Sequence, residues 1–344
     1  MQIFCWYSLR LICLINFVFI LSLSWSPASA QSIGFKQAVV ETVTDPAVLK
    51  FYRAHDYQSF WTGNTSAERA RFKALTAAFS NSYVHGLPSK KFSLKLLLSK
   101  AKAVRSDRSL GNLDVELTNE FLRYARAVQS GVLVPSTVDV EIVRQVNFRD
   151  PYKTLTSLKN SNADEFFKTL PPQSSEYARL VKEKLRLKHI VLAGGWGDLT
   201  STLTLEPGAK GTKVVALRNR LANMGYLRNT LSAVYGNSLE TAVRRFQFNN
   251  GLMITGIANT LTLEQINNSA AERLMSVLVS MERERWLNQE LGDRHILVNL
   301  TDFKTKIIDH GKVTFQTNSV IGAHDENRRS PEFSDIMEHI IVNP

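Results

Sequence analysis

The sequence predicts a mainly α protein: a helical domain, then a three-helix module, then a run of short strands. Three observations carry this. Between Leu205 and Asn267 three apolar stripes at helical spacing follow one another, each bracketed by turn residues. From Ala47 to about Leu199 further helical patterns alternate with Gly and Pro punctuation. After Leu287 the apolar period changes from helical to alternating, the mark of strands. With 344 residues the chain exceeds one ordinary domain, so two or three units are expected.

Residues 1–30 read as a secretory signal peptide. Arg10 supplies a positive flank, Leu11 to Leu23 is nearly all apolar, and Ala28-Ser29-Ala30 is a small-x-small cleavage pattern. The apolar run is short for a membrane span, which needs about 20 residues, so no stable span is expected after cleavage. The two cysteines, Cys5 and Cys13, both lie inside this segment. Residues 31–344 therefore carry no thiol, no disulfide and no cysteine metal site.

The helical region opens on an aromatic cluster of Phe51, Tyr52, Phe60 and Trp61, with a turn at Trp61-Thr62-Gly63-Asn64. A helix through Arg71, Leu75, Ala78 and Phe79 ends near His85-Gly86-Leu87-Pro88, and Lys95 to Ala103 is a basic amphipathic stretch. Asp114-x-x-Leu117-Thr118 has the acidic and capping residues of a helix start and leads into Phe121, Leu122, Tyr124, Ala125 and Val128. That helix should end at Gly131, with Pro135 just beyond. Asp164 to Leu170 is a short helix stopped by Pro171-Pro172, and Tyr177 to Leu192 ends in Gly194-Gly195. His55, His85 and His189 have no ligand spacing, so neither a metal nor a cofactor is expected. Gly194-Gly195-Trp196-Gly197 is no phosphate cradle, lacking a preceding strand and a following Lys-Ser/Thr.

In the module, Thr212 is placed as N-cap of a first helix carrying Val214, Leu217, Leu221 and Met224. It stops at Gly225, with Tyr226 where an apolar contact is expected. The second helix starts at Ser238, carries Ala242, Val243 and Phe246, and stops at Gly251. Asn259 caps the third, whose buried side is Leu263 and Ile266. Helices this short are unstable singly, so their stripes must close on one another. Phe246, Tyr226, Leu217 and Leu221 are assigned to that core, and ligand contacts to exposed polar neighbours: Arg244, Gln247 and Asn249. A linking helix, Asn268 to Leu287, follows through Leu274, Val277, Leu278 and Met281, and presents Glu282-Arg283-Glu284-Arg285-Trp286-Leu287. Ile296, Val298 and Leu300 then alternate as in a half-buried strand, and Phe303, Thr305 and Ile307 repeat the pattern. Asp309-His310-Gly311 is a hairpin turn, Val313, Phe315 and Thr317 return, and Ile340-Ile341-Val342 opens another strand.

These residues carry a resemblance. Gly211-x-x-Val214-x-x-Leu217, Leu221-x-x-x-Gly225-Tyr226, Ala242-Val243-x-x-Phe246-Gln247-x-x-x-Gly251-Leu252, Gly256 and Thr262 resemble the bacterial peptidoglycan-binding three-helix module. Departures are Arg218, where Gln is favoured, and Ile254-Thr255, where Pro and Asp are common. Tyr52 with Trp61, Gly86-Leu87, Asp114-x-x-Leu117-Thr118, Gly131 and Pro135 resemble the scaffold domain of the large periplasmic L,D-transpeptidases. Arg283-x-Arg285-Trp286, His295 to Asn299, Val320-Ile321-Gly322, Ser330-Pro331-x-Phe333-Ser334 and Ile341-Val342-Asn343-Pro344 resemble the opening of that family's catalytic domain, with Ser330 in place of Thr. The resemblance implies a scaffold domain at 45–200, a peptidoglycan-binding domain at 205–267, a linking helix at 268–290, and at 294–344 the first strands of an incomplete β-rich catalytic domain.

Enzymes of that family cross-link peptidoglycan stems through a cysteine thiolate assisted by a histidine. The resemblance places both motifs downstream of Pro344, so no catalytic residue is assigned here. His295, His310, His324 and His339 stand outside the required motif, and no Gly-x-Ser-x-Gly elbow offers another nucleophile. The formal charge of +11 suits a polyanion. Export excludes nucleic acid and leaves peptidoglycan as the expected partner, in a periplasmic location. Two functions follow: an L,D-transpeptidase family member in wall cross-linking and remodelling, inactive as this chain, or a non-catalytic wall-binding scaffold protein.

Overall fold

The computed structural model describes residues 32–287, 291–323 and 328–341. The expected signal segment, His324 and the end of the expected last strand lie outside them. The mainly α expectation holds: helices run from Ile33 to Trp286, and one three-stranded sheet follows. Among the described residues no helix is long and apolar enough to cross a membrane.

Side-chain caps open most helices of the N-terminal unit, each satisfying an otherwise orphaned N–H. Ser32 opens α1 (Ile33–Thr42), Asp45 opens α2 (Pro46–Ala54), and Thr65 with Glu68 forms a capping box on α3 (Ser66–Ser80). After a 3-10 turn at Ser82–His85 come α4 (Leu94–Lys102), α5 (Asp107–Ser130), the single turn α6 (Pro135–Val138), α7 (Pro151–Lys159), α8 (Ala163–Thr169) and α9 (Ser175–Leu192). The long helix α5 is the spine, burying Val115, Leu117, Phe121 and Val128. Helix α1 crosses its first turns so closely that a Cβ on Gly111 would lie 2.7 Å from the carbonyl oxygen of Phe35. Leu75 and Phe79 of α3, Leu155 and Leu158 of α7, and Leu170 complete the core.

The expected helix start at Asp114 is corrected. Helix α5 begins at Asp107, two turns earlier, with Ser106 as its N-cap. Asp114 sits inside the helix, fully buried, and serves another segment. Its carboxylate accepts from the Tyr52 hydroxyl at 2.7 Å, from the backbone N–H of Trp61 at 2.9 Å and Thr62 at 3.0 Å, and from the Thr62 hydroxyl at 2.8 Å. The Trp61 indole N–H donates to Thr118 Oγ1 at 2.9 Å. One network thus joins the aromatic cluster to the spine. Burial pushes the Asp114 carboxyl above its ordinary range, while the hydrogen bonds from Tyr52, Trp61, Phe60 and Thr62 pull it back.

The second unit comprises α10 (Thr212–Asn223), α11 (Asn237–Asn249) and α12 (Thr260–Asn267). Their starts lie within one residue of expectation: Gly211, not Thr212, holds the N-cap position of α10, and α11 starts one residue before Ser238. Asn259 caps α12 by accepting from Thr262 N–H at 2.9 Å. Both expected glycine stops are Schellman closures. At Gly225, φ +87, the Tyr226 N–H reaches the Leu221 carbonyl at 2.8 Å, and at Gly251, φ +66, the Leu252 N–H reaches the Gln247 carbonyl at 2.9 Å. Val214, Leu217, Leu221, Ala242, Val243, Phe246, Leu263 and Ile266 close on one another as one buried cluster.

Two buried arginines hold this unit with no acidic partner among the described residues. Arg218, the departure from the resembled pattern, donates to the carbonyls of Ser232 and Val234, both at 2.9 Å, and fixes the loop before α11. Arg220 donates to the carbonyls of Ile266 at 2.8 Å, Asn267 at 3.0 Å and Gly197 at 2.9 Å. It thereby satisfies the open carbonyl end of α12 and ties it to the loop after α9.

Helix α13 (Ala270–Trp286) opens on a Ser269–Glu272 capping box and returns along α9 to α5. Its buried Glu282 accepts from the N–H groups of Val132 at 2.6 Å and Leu133 at 2.8 Å, and from Arg285 at 2.6 Å. Arg285 also donates to the His85 carbonyl at 2.8 Å. The space this takes leaves none for a side chain at Gly131, φ +89, whose Cβ would meet Glu282 Oε1 at 2.5 Å.

The strands β1 (Arg294–Asn299), β2 (Lys304–Asp309) and β3 (Lys312–Asn318) form an antiparallel meander in the order β1-β2-β3. The expected hairpin turn is present: Asp309 pairs with Lys312, and His310 and Gly311 between them have φ of +47 and +75, the type I′ signature. The expected half-burial holds along β2 but not in its neighbours, where Ile296 of β1 is 45% and Phe315 of β3 54% exposed. Nor do Ile340 and Ile341 lie in a strand. The stretch around Glu332 instead lies along the loop near Ile142, its N–H donating to the Glu141 carbonyl at 2.9 Å while its carboxylate pairs with Arg283.

Candidate functional site

Helix α11 distributes the three expected contact residues to three different surroundings. Gln247, expected to be exposed, is completely buried. Its amide nitrogen donates to the Ile257 carbonyl at 2.8 Å and Thr262 Oγ1 at 3.1 Å, and its oxygen accepts from the N–H groups of Thr255 at 3.0 Å and Gly256 at 2.9 Å. The cause is helical geometry: Gln247 lies four residues after buried Val243, on the inner edge of the apolar stripe. Its role is to lock the 255–257 turn onto α12, and no ligand contact is assigned to it. Arg244 is exposed and paired with Glu240 at 2.9 Å, lying over the Gly256 turn. Asn249 alone of the three opens onto a concavity.

That concavity is a groove of about 390 Å³ between α9, the end of α10, α11 and α13. Trp196, Met224, Tyr226 and Phe246 form its apolar wall. Tyr226 packs edge-on against Phe246 at 5.2 Å between ring centroids, so core aromatics continue into the groove. Three guanidinium groups line it, one from each flanking helix: Arg186 of α9, Arg245 of α11 and Arg273 of α13. Arg245 sits over the Tyr226 ring at 5.5 Å. Arg186 pairs with Glu183 at 2.6 Å, and that pairing raises its pKa further. Arg273 donates through Nη2 to the carbonyl of Gln265 at 3.1 Å. Glu183 is the one carboxylate in the lining, so the groove is net positive.

A guanidinium is a planar fork of donors matched to a carboxylate, and beside an aromatic wall it holds one end of an amphipathic ligand. Asn249 adds a neutral donor and acceptor along the rim, and the hydroxyls of Ser276 and Ser280, which donate to the carbonyls of Glu272 and Ser276, add acceptors. No group of three or more His, Cys, Asp or Glu side chains suited to a metal occurs among the described residues. Sequence reasoning missed Arg186, Arg245 and Arg273, which come from helices far apart in the chain. Tyr226, assigned to the core, is half-buried and shared between core and groove.

No curated protein matches the chain. Residues 46–183 match the family model of the Scaffold domain, and residues 210–266 match that of the peptidoglycan binding domain. The first match runs from α2 into α9 and takes in Tyr52, Trp61, Asp114 and Thr118; the second takes in the three-helix core and Arg245. The chain therefore carries a Scaffold domain followed by a peptidoglycan-binding domain.

Proposed function

We propose that this chain is a periplasmic peptidoglycan-binding protein of the L,D-transpeptidase family, acting in wall cross-linking and remodelling through binding. The observation that carries the reading is the three-helix unit within residues 210–266, matched to the peptidoglycan binding domain and folded on its own apolar cluster. The secretory pattern of residues 1–30 and the charge of +11 support a wall polymer as partner. The family assignment rests on the resemblance of residues 283–344 to the start of the catalytic domain, together with the Scaffold domain match. Because residues 31–344 hold no cysteine, the family's thiolate step has no group to carry the acyl intermediate within them. The same observation favours a second reading, a non-catalytic periplasmic scaffold protein that binds the wall.

Pelleting of the whole chain with purified sacculi tests the proposal. It should co-sediment at low ionic strength and be released progressively by salt, because part of the attraction is electrostatic. A chain that stays in the supernatant at low salt contradicts peptidoglycan binding.

A further inference from the structure

We propose that the groove between α9, α11 and α13 is a subsite for the stem peptide of peptidoglycan, in which Arg245 and Arg273 hold stem carboxylates beside Tyr226. This rests on the reading that the chain binds peptidoglycan, and it names which part of the polymer the groove takes.

Charge identifies the part. In the intact polymer the sugar backbone is uncharged, because the muramyl carboxyl is tied up in the amide to the stem, while the stems carry free carboxylates. The groove presents Arg186, Arg245 and Arg273 against Glu183 alone, and Glu183 is already engaged by Arg186. Among the described residues Arg245 has no ion-pair partner and makes no hydrogen bond; its contact is with the face of Tyr226. The Arg273 bonds to Gln265 run through Nη2 and leave Nη1 and Nε for a ligand. Stacking a guanidinium on an aromatic ring orients its donor fork without consuming the donors. Between these cations, the Asn249 amide suits the amide groups of a peptide backbone, and the Ser276 and Ser280 hydroxyl oxygens can accept from its N–H groups. At about 390 Å³ the groove falls in the range of sites for small ligands, fit for a few residues of a stem.

Placement adds a second line. Arg245 and Asn249 belong to the peptidoglycan-binding domain, Arg273 to the helix that follows it, and Arg186 to the helix shared with the scaffold. Helix α13 is fixed to the scaffold by buried Glu282 and Arg285, so the far wall of the groove is held in place before any ligand arrives. The subsite is therefore complete only when the module and its neighbouring helices are together.

The test measures equilibrium binding of the whole chain to two polymers, intact sacculi and sacculi whose carboxylates have been converted to amides with carbodiimide and ammonia. Binding should fall about tenfold or more on amidation, the scale of a lost charge-assisted hydrogen bond. Arg245→Gln and Arg273→Gln should each weaken binding to intact sacculi by about tenfold and lose most of the preference for free carboxylates. Lys102→Gln, the same charge change at an exposed scaffold position, should change binding less than about twofold. Arg245→Lys should fall between wild type and Arg245→Gln, since the charge remains but the fork is lost. Equal binding to both polymers, wild-type binding by the two Gln variants, or an equal loss in Lys102→Gln overturns the subsite and leaves peptidoglycan binding standing. Failure of the unaltered chain to bind intact sacculi overturns both. Should Arg273→Gln not fold, Arg245→Gln decides alone, because Arg245 makes no hydrogen bond within the described fold.

Discussion

Asp114 is the side chain on which the N-terminal unit depends most. It collects the Tyr52 hydroxyl and the N–H groups of residues 60–62, joining the turn after α2 to the middle of α5. Asp114→Ala would leave these buried donors without acceptors, and should cost at least about 3 kcal/mol in urea unfolding. A cost below about 1 kcal/mol would mean that water replaces the carboxylate and that the turn after α2 is not held to α5 in solution. His85 supplies a pH dependence. Its ring stacks on Tyr177 beside Arg285, and burial first, then the charges of Arg285 and Lys184, lower its pKa from 6.5 to about 4. The fold keeps the imidazole neutral, whereas the unfolded chain takes up a proton near its ordinary value. This contribution is thus complete above about pH 6.5 and is lost as pH falls towards 4, amounting to about 2–3 kcal/mol. Urea midpoints measured across that window should fall, and His85→Gln should flatten the fall. An unchanged slope in the variant would place the titrating group elsewhere.

At the scale of elements, the three short helices of the module stand or fall together, because each buries its stripe against the other two. Phe246→Ala removes the largest side chain that α11 gives to that cluster, and the cavity should cost about 3–5 kcal/mol. Loss of the module's unfolding transition is the expected calorimetric result, and a normal transition would move the ring out of the core. These elements were legible in the sequence because their signals are local: Asn259 as cap, Gly225 and Gly251 as stops, His310-Gly311 as a two-residue turn. Asp114 was misread because acidic residues near a helix start look alike whether they cap their own helix or serve a distant turn. The identity of its partners, 52 to 62 positions away, is no property of the local pattern. Gln247 was misplaced because a polar residue at the edge of an apolar stripe faces solvent by default, until a neighbouring turn supplies all its hydrogen bonds. The groove was illegible for a related reason: its arginines converge only through the packing of α13 on α9.

For the molecule as a whole, α13 couples the peptidoglycan-binding unit to the scaffold. Glu282→Ala would strand the Arg285 charge inside that joint and release the turn after α5, at about 3–5 kcal/mol. Limited proteolysis should then cut between the two units faster than in wild type, and an unchanged digestion pattern would argue that apolar packing alone holds the joint. Chemistry gives a further expectation. Mass spectrometry of residues 31–344 after incubation with a tetrapeptide donor or a carbapenem should reveal no covalent adduct, since these residues hold no cysteine. An adduct at any residue would reveal a different nucleophile. The central claim is that wall binding resides in the three-helix unit, and sacculus pelleting of the separate pieces addresses it most directly. Residues 205–267 alone should fold and co-sediment with sacculi at low salt, more weakly than the whole chain because Arg186 and Arg273 are missing, while residues 32–200 alone, which keep α1 on α5, should remain in solution. Sedimentation of the scaffold piece with a soluble, folded module left behind would contradict the claim.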